Sequence, residues 1–193
     1  MLHKEESIVA GRLVNQRKQA HTIQNKVYIE GVPYTFARRE PQPQFSMILP
    51  ESFADMPRES AKRKFPHEDR PKVIISSDDF RVCFAFNTIE IQHESIDDRV
   101  SAFRAYMKTI HPSNVFFTEG VYDLSNKMQV GYYDYQHPSN DGDIYNITFV
   151  TDLLDIELLG WFICPAEVKD KWEPLARQMI QSIEMAGEVL DND

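Results

Sequence analysis

The chain has 193 residues, of which 42% are hydrophobic and 11% aromatic, enough material for the core of one sizeable domain. Its net charge of -9 excludes a dominant nucleic-acid role, because phosphate binding needs a basic footprint. No run approaches the roughly 18 apolar residues of a membrane span. The charge is uneven: residues 1–72 carry 13 Lys/Arg against 9 Asp/Glu, residues 73–193 carry 8 against 21, and a solvated acidic face is the reading of that imbalance.

Residues 1–25 are polar and mixed, with at most a short helix around Ser7 to Gln19, and read as an N-terminal extension. They lack the continuous apolar region of a signal peptide. Cys83 and Cys164 are the two cysteines, each inside an apolar strand pattern, so both read as reduced thiols and the expected location is cytoplasmic.

From Lys26 onward, "KVYIEGVPYTF" reads as two short strands about Gly31, and "QFSMILP" as a third closed by Pro50. "ESAKRKFPHEDRP" is a charged helical turn and loop whose Arg58, Lys62, Arg63 and Lys64 read as a solvated helix face. "KVIISS" and "RVCFAFNTIEI" are strands joined at Asp78 and Asp79. Val82, Phe84 and Phe86 on one face of the second, with Cys83, Ala85, Ile89 and Ile91 on the other, mark a central strand covered on both sides. "SIDDRVSAFRAYMKTIHP" is a helix with Ile96, Val100, Phe103, Met107 and Ile110 on one face, capped by Ser95 with Asp98 and stopped by Pro112.

Four strand-length segments follow, "NVFFTEGVYDL", "MQVGYYDYQ", "DIYNITFVTD" and "DIELLGWFIC", separated by short turns. They predict an antiparallel meander. A final helix carries Val168, Trp172, Leu175, Ala176, Met179, Ile180 and Ile183 at helical spacing, with Pro174 expected in its first turn and 166–170 as a looser lead-in. Residues 187–193 form an acidic tail. The fold class is α+β, a central antiparallel sheet packed with helices.

Cys164 stands where a strand meets a helix, and exposed helix amides favour a thiolate. It has no recognisable histidine partner and falls in the same alternating set as Ile156, Leu158 and Phe162, which makes it a packed structural cysteine. His93, Glu94, Asp97 and Asp98 gather at a helix start without a second imidazole four residues on, and read as a capped helix instead of a metal site. "HPSN" occurs at 111–114 and 137–140, in both cases as turn chemistry at the end of an element. There is no glycine-rich phosphate loop and no Gly-x-Ser-x-Gly elbow. Tyr132, Tyr133 and Tyr135 beside Asp134 on a hairpin form the candidate recognition patch.

"FSMILPESFADM", "KFPHEDRPKVIISSDDFRVCFAF", "GWFICPAEVKDKW" and "ARQMIQSIE" resemble the PsbP-like superfamily, which includes the DcrB-like bacterial proteins and the eukaryotic Ran-binding Mog proteins. The resemblance spans residues 26–186 and implies one domain built as an α/β/α sandwich with a central antiparallel sheet. Pro50, Pro66, Arg70, Pro71, Cys164 and Pro165 match the structural pattern of that superfamily, making Cys164 and Pro165 a strand-to-helix joint. What the resemblance implies about function is binding: such proteins serve as an extrinsic photosystem subunit, a regulator of a small GTPase, and chaperones of type VI secretion effectors. A shared fold does not choose among these roles, so none is carried over.

The resulting expectation is a non-catalytic cytoplasmic protein-binding module, an adaptor or chaperone with a protein partner and no cofactor. Its effector-chaperone version predicts an exposed apolar groove. The rival enzyme predicts an accessible Cys164 with an imidazole in reach.

Overall fold

Period-two segments with short turns pair here as their pattern dictates. In the computed structural model, which describes residues 22–124 and 127–186, β8 (Val115–Asp123), β9 (Gln129–His137), β10 (Ile144–Leu153) and β11 (Ile156–Pro165) form the expected antiparallel meander. β11 then pairs with β7 (Cys83–Glu90), followed by β6 (Val73–Ser76) and β5 (Ala54–Asp55), which completes a seven-stranded antiparallel sheet. The N-terminal extension up to residue 21 and the tail from residue 187 lie outside the described residues.

The sequence did not reveal a second sheet. β4 (Phe45–Pro50) is flanked by β3 (Phe36–Gln42) and β12 (Glu184–Met185). β3 reads "FARREPQ", with charges and Pro41 in place of alternating apolar residues, which an edge strand tolerates. A separate hairpin pairs β1 (Val27–Ile29) with β2 (Val32–Tyr34), turning through Glu30 and Gly31, both at positive φ (51° and 83°). The molecule is therefore richer in sheet than the helix-packed sandwich expected from the sequence.

Alternation divides the large sheet into two unlike faces. One face sends Phe84, Phe86, Phe162, Cys164, Ile147 and Phe149 into the main core. There they meet β4, through Phe45, Met47 and Leu49, and the helix α3 (Lys169–Gln181), through Trp172, Leu175 and Met179. Pro174 lies inside α3, not in its first turn: the helix begins at Lys169 behind a 3₁₀ turn at Ala166–Val168, so the missing amide costs a rung near its N-terminus.

The other face carries two smaller clusters. Helix α1 (Arg58–Lys64) and Met56 cover Ile74, Cys83, Ala85 and Ile163. Helix α2 (Ile96–Ile110) covers Tyr133, Tyr135 and Val150 through Ile96 and Val100. α2 is capped as expected, the Asp98 amide donating to Ser95 Oγ (3.2 Å) and Ser95 Oγ donating to Asp98 Oδ2 (2.7 Å). It sits directly on Gly131, where a Cβ would come within 2.3 Å of Val100 Cγ2 and 2.6 Å of Ile96 Cγ2. Arg99 anchors the same turn, donating to Glu157 and, through two nitrogens, to Asp152 at 2.7 and 2.8 Å.

Candidate functional site

Because α1 and α2 cover opposite ends of one sheet face, the middle of that face stays open. The opening is a cleft of about 750 Å³. Its floor is made by side chains that register places side by side: Tyr135 of β9 opposite Asn146 of β10, and Asn146 opposite Ile163 of β11. Trp161, two residues before Ile163 and on the same face, is half-buried and completes the floor with Ile144. A concave, mostly apolar site with a few polar groups is the usual form of a binding pocket.

Two walls rise from this floor. One is the end of α2, where cover fades along the apolar stripe. Ile96 and Val100 are 6% and 2% exposed, Phe103 and Met107 are half-buried, and Ile110 is 44% exposed. Met107, at the rim of the cluster that α2 makes with Tyr133 and Tyr135, and His111 beyond it line the cleft. The other wall is the end of α1 and the loop after it, contributing Arg63, Phe65, His67 and Arg70. Arg70 Nε donates to the Phe65 carbonyl (3.1 Å) and so ties the guanidinium to this loop.

The two "HPSN" turns meet here. One follows α2 and the other ends β9, and both histidines line the cleft. His137 Nδ1 lies 3.1 Å from Asn146 Nδ2, an arrangement in which the amide donates to a neutral ring. Burial lowers the His137 pKa, the His111 charge lowers it further, and Asp143 opposes both.

The tyrosine patch expected on β9 is divided between the two faces, so the structure does not present it as one exposed surface. Tyr133 and Tyr135 are 4% and 6% exposed because α2 covers them, and burial raises both phenols. Asp134, 1% exposed, points the other way. It accepts from Tyr145 Oη (2.7 Å), the Thr118 amide (2.7 Å) and Thr118 Oγ1 (2.6 Å), with Arg177 Nη2 at 3.2 Å. Tyr132 is half-buried, stacked on Tyr122 at 4.5 Å beneath the Arg177 guanidinium. Of the four residues, only Tyr135 reaches the cleft, and it does so as floor.

Cys164 is fully buried in the main core, and burial pushes its thiol far up. The groups whose charges act on it are Cys83, Lys64, Glu173 and Lys169, with no histidine among them. Cys83, equally buried, is raised to about 11 by desolvation. Neither thiol is disposed as a nucleophile, since reactivity needs an accessible thiolate. His93 and Glu94 are exposed ahead of the α2 cap. Among the described residues no group of three or more His, Cys, Asp or Glu is placed to hold a metal ion, and no helix is long and apolar enough to cross a membrane.

The basic cluster of α1 is likewise divided. Lys62 pairs with Glu59 (2.8 Å), Lys64 donates to the carbonyls of Phe80 (2.5 Å) and Arg81 (3.3 Å), and Arg63 turns to the cleft.

This arrangement of sheet and helices is shared with a solved structure. The solution structure of cyanobacterial PsbP from Synechocystis superposes with a TM-score of 0.58, covering 83% of this chain and 98% of that one at 11% identity. The fold is that of PsbP. A second neighbour in shape is LpqN, a protein involved in cell envelope biogenesis of Mycobacterium tuberculosis, at TM-score 0.50 and 8% identity over 79% of this chain and 91% of that one. No family model matches the sequence, and no curated protein matches it either. At these identities the likeness to PsbP is one of fold.

Proposed function

We propose that this PsbP-like chain is a non-catalytic binding module, an adaptor or chaperone of a reducing, cytoplasmic compartment, that takes a segment of a protein partner in the cleft between α1 and α2. The observation that carries the reading is the open strip of sheet between two helices, floored by Trp161, Tyr135 and Ile144. Aromatic side chains in a partly desolvated depression are the anchors that protein interfaces use. The two buried free cysteines support a compartment where thiols stay reduced.

The test is site-specific photo-crosslinking in living cells of the source organism. A benzophenone amino acid replaces Met107 in the cleft wall or, as control, Tyr28, which is 62% exposed on the β1–β2 hairpin. One protein crosslinked from position 107 and not from 28, with the attached peptide mapped to a single segment, is the expected result. Identical products from both positions, or none from either, refutes the reading.

A further inference from the structure

The cleft has a sign of charge opposite to that of the whole molecule. The chain carries a net -9, yet Arg63, Arg70, His67, His111 and His137 line the cleft, where the acidic lining residues are Asp69 and Asp141. Neither arginine is spent. Arg63 is exposed and has no hydrogen-bond or ion-pair partner among the described residues, and Arg70 uses only Nε, on the Phe65 carbonyl, leaving its two terminal nitrogens unbonded among them. A planar guanidinium with free terminal nitrogens fits a carboxylate in bidentate fashion.

We propose that the segment bound in the cleft is acidic, its carboxylates received by Arg63 and Arg70 while a flat side chain lies on Trp161. This rests on the cleft being the binding surface. Charge complementarity selects the occupant: acidic segments are steered to a cationic pocket, while the net negative charge of the chain disfavours large polyanions.

The probe is a synthetic Glu-Phe-Glu-Phe-Glu peptide, compared with its Gln-Phe-Gln-Phe-Gln counterpart. Binding is followed through the indole N–H resonance of Trp161, which is half-buried at the cleft, against that of Trp172, 2% exposed in the core, as internal reference. The expected result is a saturable shift of the Trp161 signal by the acidic peptide, at least tenfold weaker binding of the Gln peptide, and weakening by added salt. Arg63→Glu, at an exposed position without a hydrogen-bond or ion-pair partner among the described residues, abolishes the preference for the acidic peptide, and Arg70→Gln weakens it. Equal binding of both peptides overturns the acidic assignment and leaves the cleft as a binding surface. No Trp161 shift with either peptide also overturns it, and crosslinking from position 107 then decides separately whether the cleft binds a partner at all.

Discussion

Removing Arg99 isolates the strongest electrostatic anchor of α2. Arg99 is 5% exposed and its two carboxylate partners are unequal: Glu157 is fully buried, while the Asp152 side chain is 41% exposed. The exposed partner is screened by water and contributes little. In Arg99→Ala the buried Glu157 charge loses its counter-ion, and removing one partner of a buried pair costs about 3–5 kcal/mol, against about 5–15 kcal/mol for the whole fold. Burial already raises the Glu157 pKa against the lowering effect of Arg99. Without the guanidinium the rise is larger, so the folded state holds a proton more tightly than the unfolded chain does. The contribution of that proton to stability is full below the pKa of the unfolded chain and is lost as pH rises through the folded one. Urea unfolding at pH 7.5 and pH 5 is the assay: the deficit of Arg99→Ala against the wild type is expected to shrink at the lower pH. Adding Glu157→Gln is expected to recover part of it at pH 7.5, because a neutral amide replaces the unpaired charge. A deficit below about 1 kcal/mol, or one equal at the two pH values, refutes the assignment of the buried charge.

Gly160 lies opposite Phe149 across β10 and β11, and a Cβ there would fall 2.1 to 2.8 Å from three atoms of the Phe149 ring. Gly160→Ala is expected to cost about 1–3 kcal/mol in urea unfolding, with Phe149→Leu in the same background restoring part; a cost within about 0.5 kcal/mol would show that the ring moves aside freely. Both cysteines are expected to resist a thiol reagent until denaturant is added, since each is fully buried with a raised pKa, and native labelling at the rate of a free thiol would contradict that burial. His137 has a lowered pKa in a setting made by His111 of the α2 end, Asp143 and Asn146 of the β10 side, and Arg63, Arg70 and Asp141 around the cleft. The unfolded chain therefore takes up the proton first, and stability falls as pH drops below the ordinary value near 6.5. His137→Gln is expected to show a smaller fall in Tm between pH 7.5 and 5.5, and an unchanged fall would assign the effect elsewhere.

The meander, the doubly covered β7 and the capped α2 were legible because each is written in local pattern: alternation, turn residues, and Ser95 three positions before Asp98. β3 was not, since its strand character comes from pairing with β4 and from the Arg38–Glu184 ion pair (2.8 Å) across to β12. Pro174 was misplaced because its cost is outweighed by Trp172, Leu175 and Met179, which α3 buries on the main core. Tyr132 to Tyr135 were grouped as one hairpin patch, but which of them are roofed depends on where α2 docks, and that is decided by Gly131 and by the carboxylates that Arg99 meets about 53 to 58 residues away. The cleft was invisible for the same reason. His111 and His137 read alike as turn residues, and only the docking of α2 on β9 brings both to one cleft.

Most of what holds α2 lies away from the cleft, with Tyr135 shared between the two, and this largely separates stability from binding. Gly131, Arg99 and Glu157 act on the first half of the helix, where Ile96 and Val100 are buried. Past Phe103 the apolar stripe continues while its cover does not, leaving Met107 half-buried and Ile110 exposed. A side chain that contributes little buried area to folding has that area left to offer a ligand, at roughly 25 cal/mol per Å² of apolar surface covered. Substitutions at Met107 or Arg63 should therefore alter what the cleft holds with little change in unfolding midpoint, whereas substitutions at Arg99 or Gly131 should lower the midpoint first and disturb the cleft only through the tilt of α2. The two classes would merge only if the far half of the helix were itself needed to keep the sheet face folded, and its graded exposure argues that it is not.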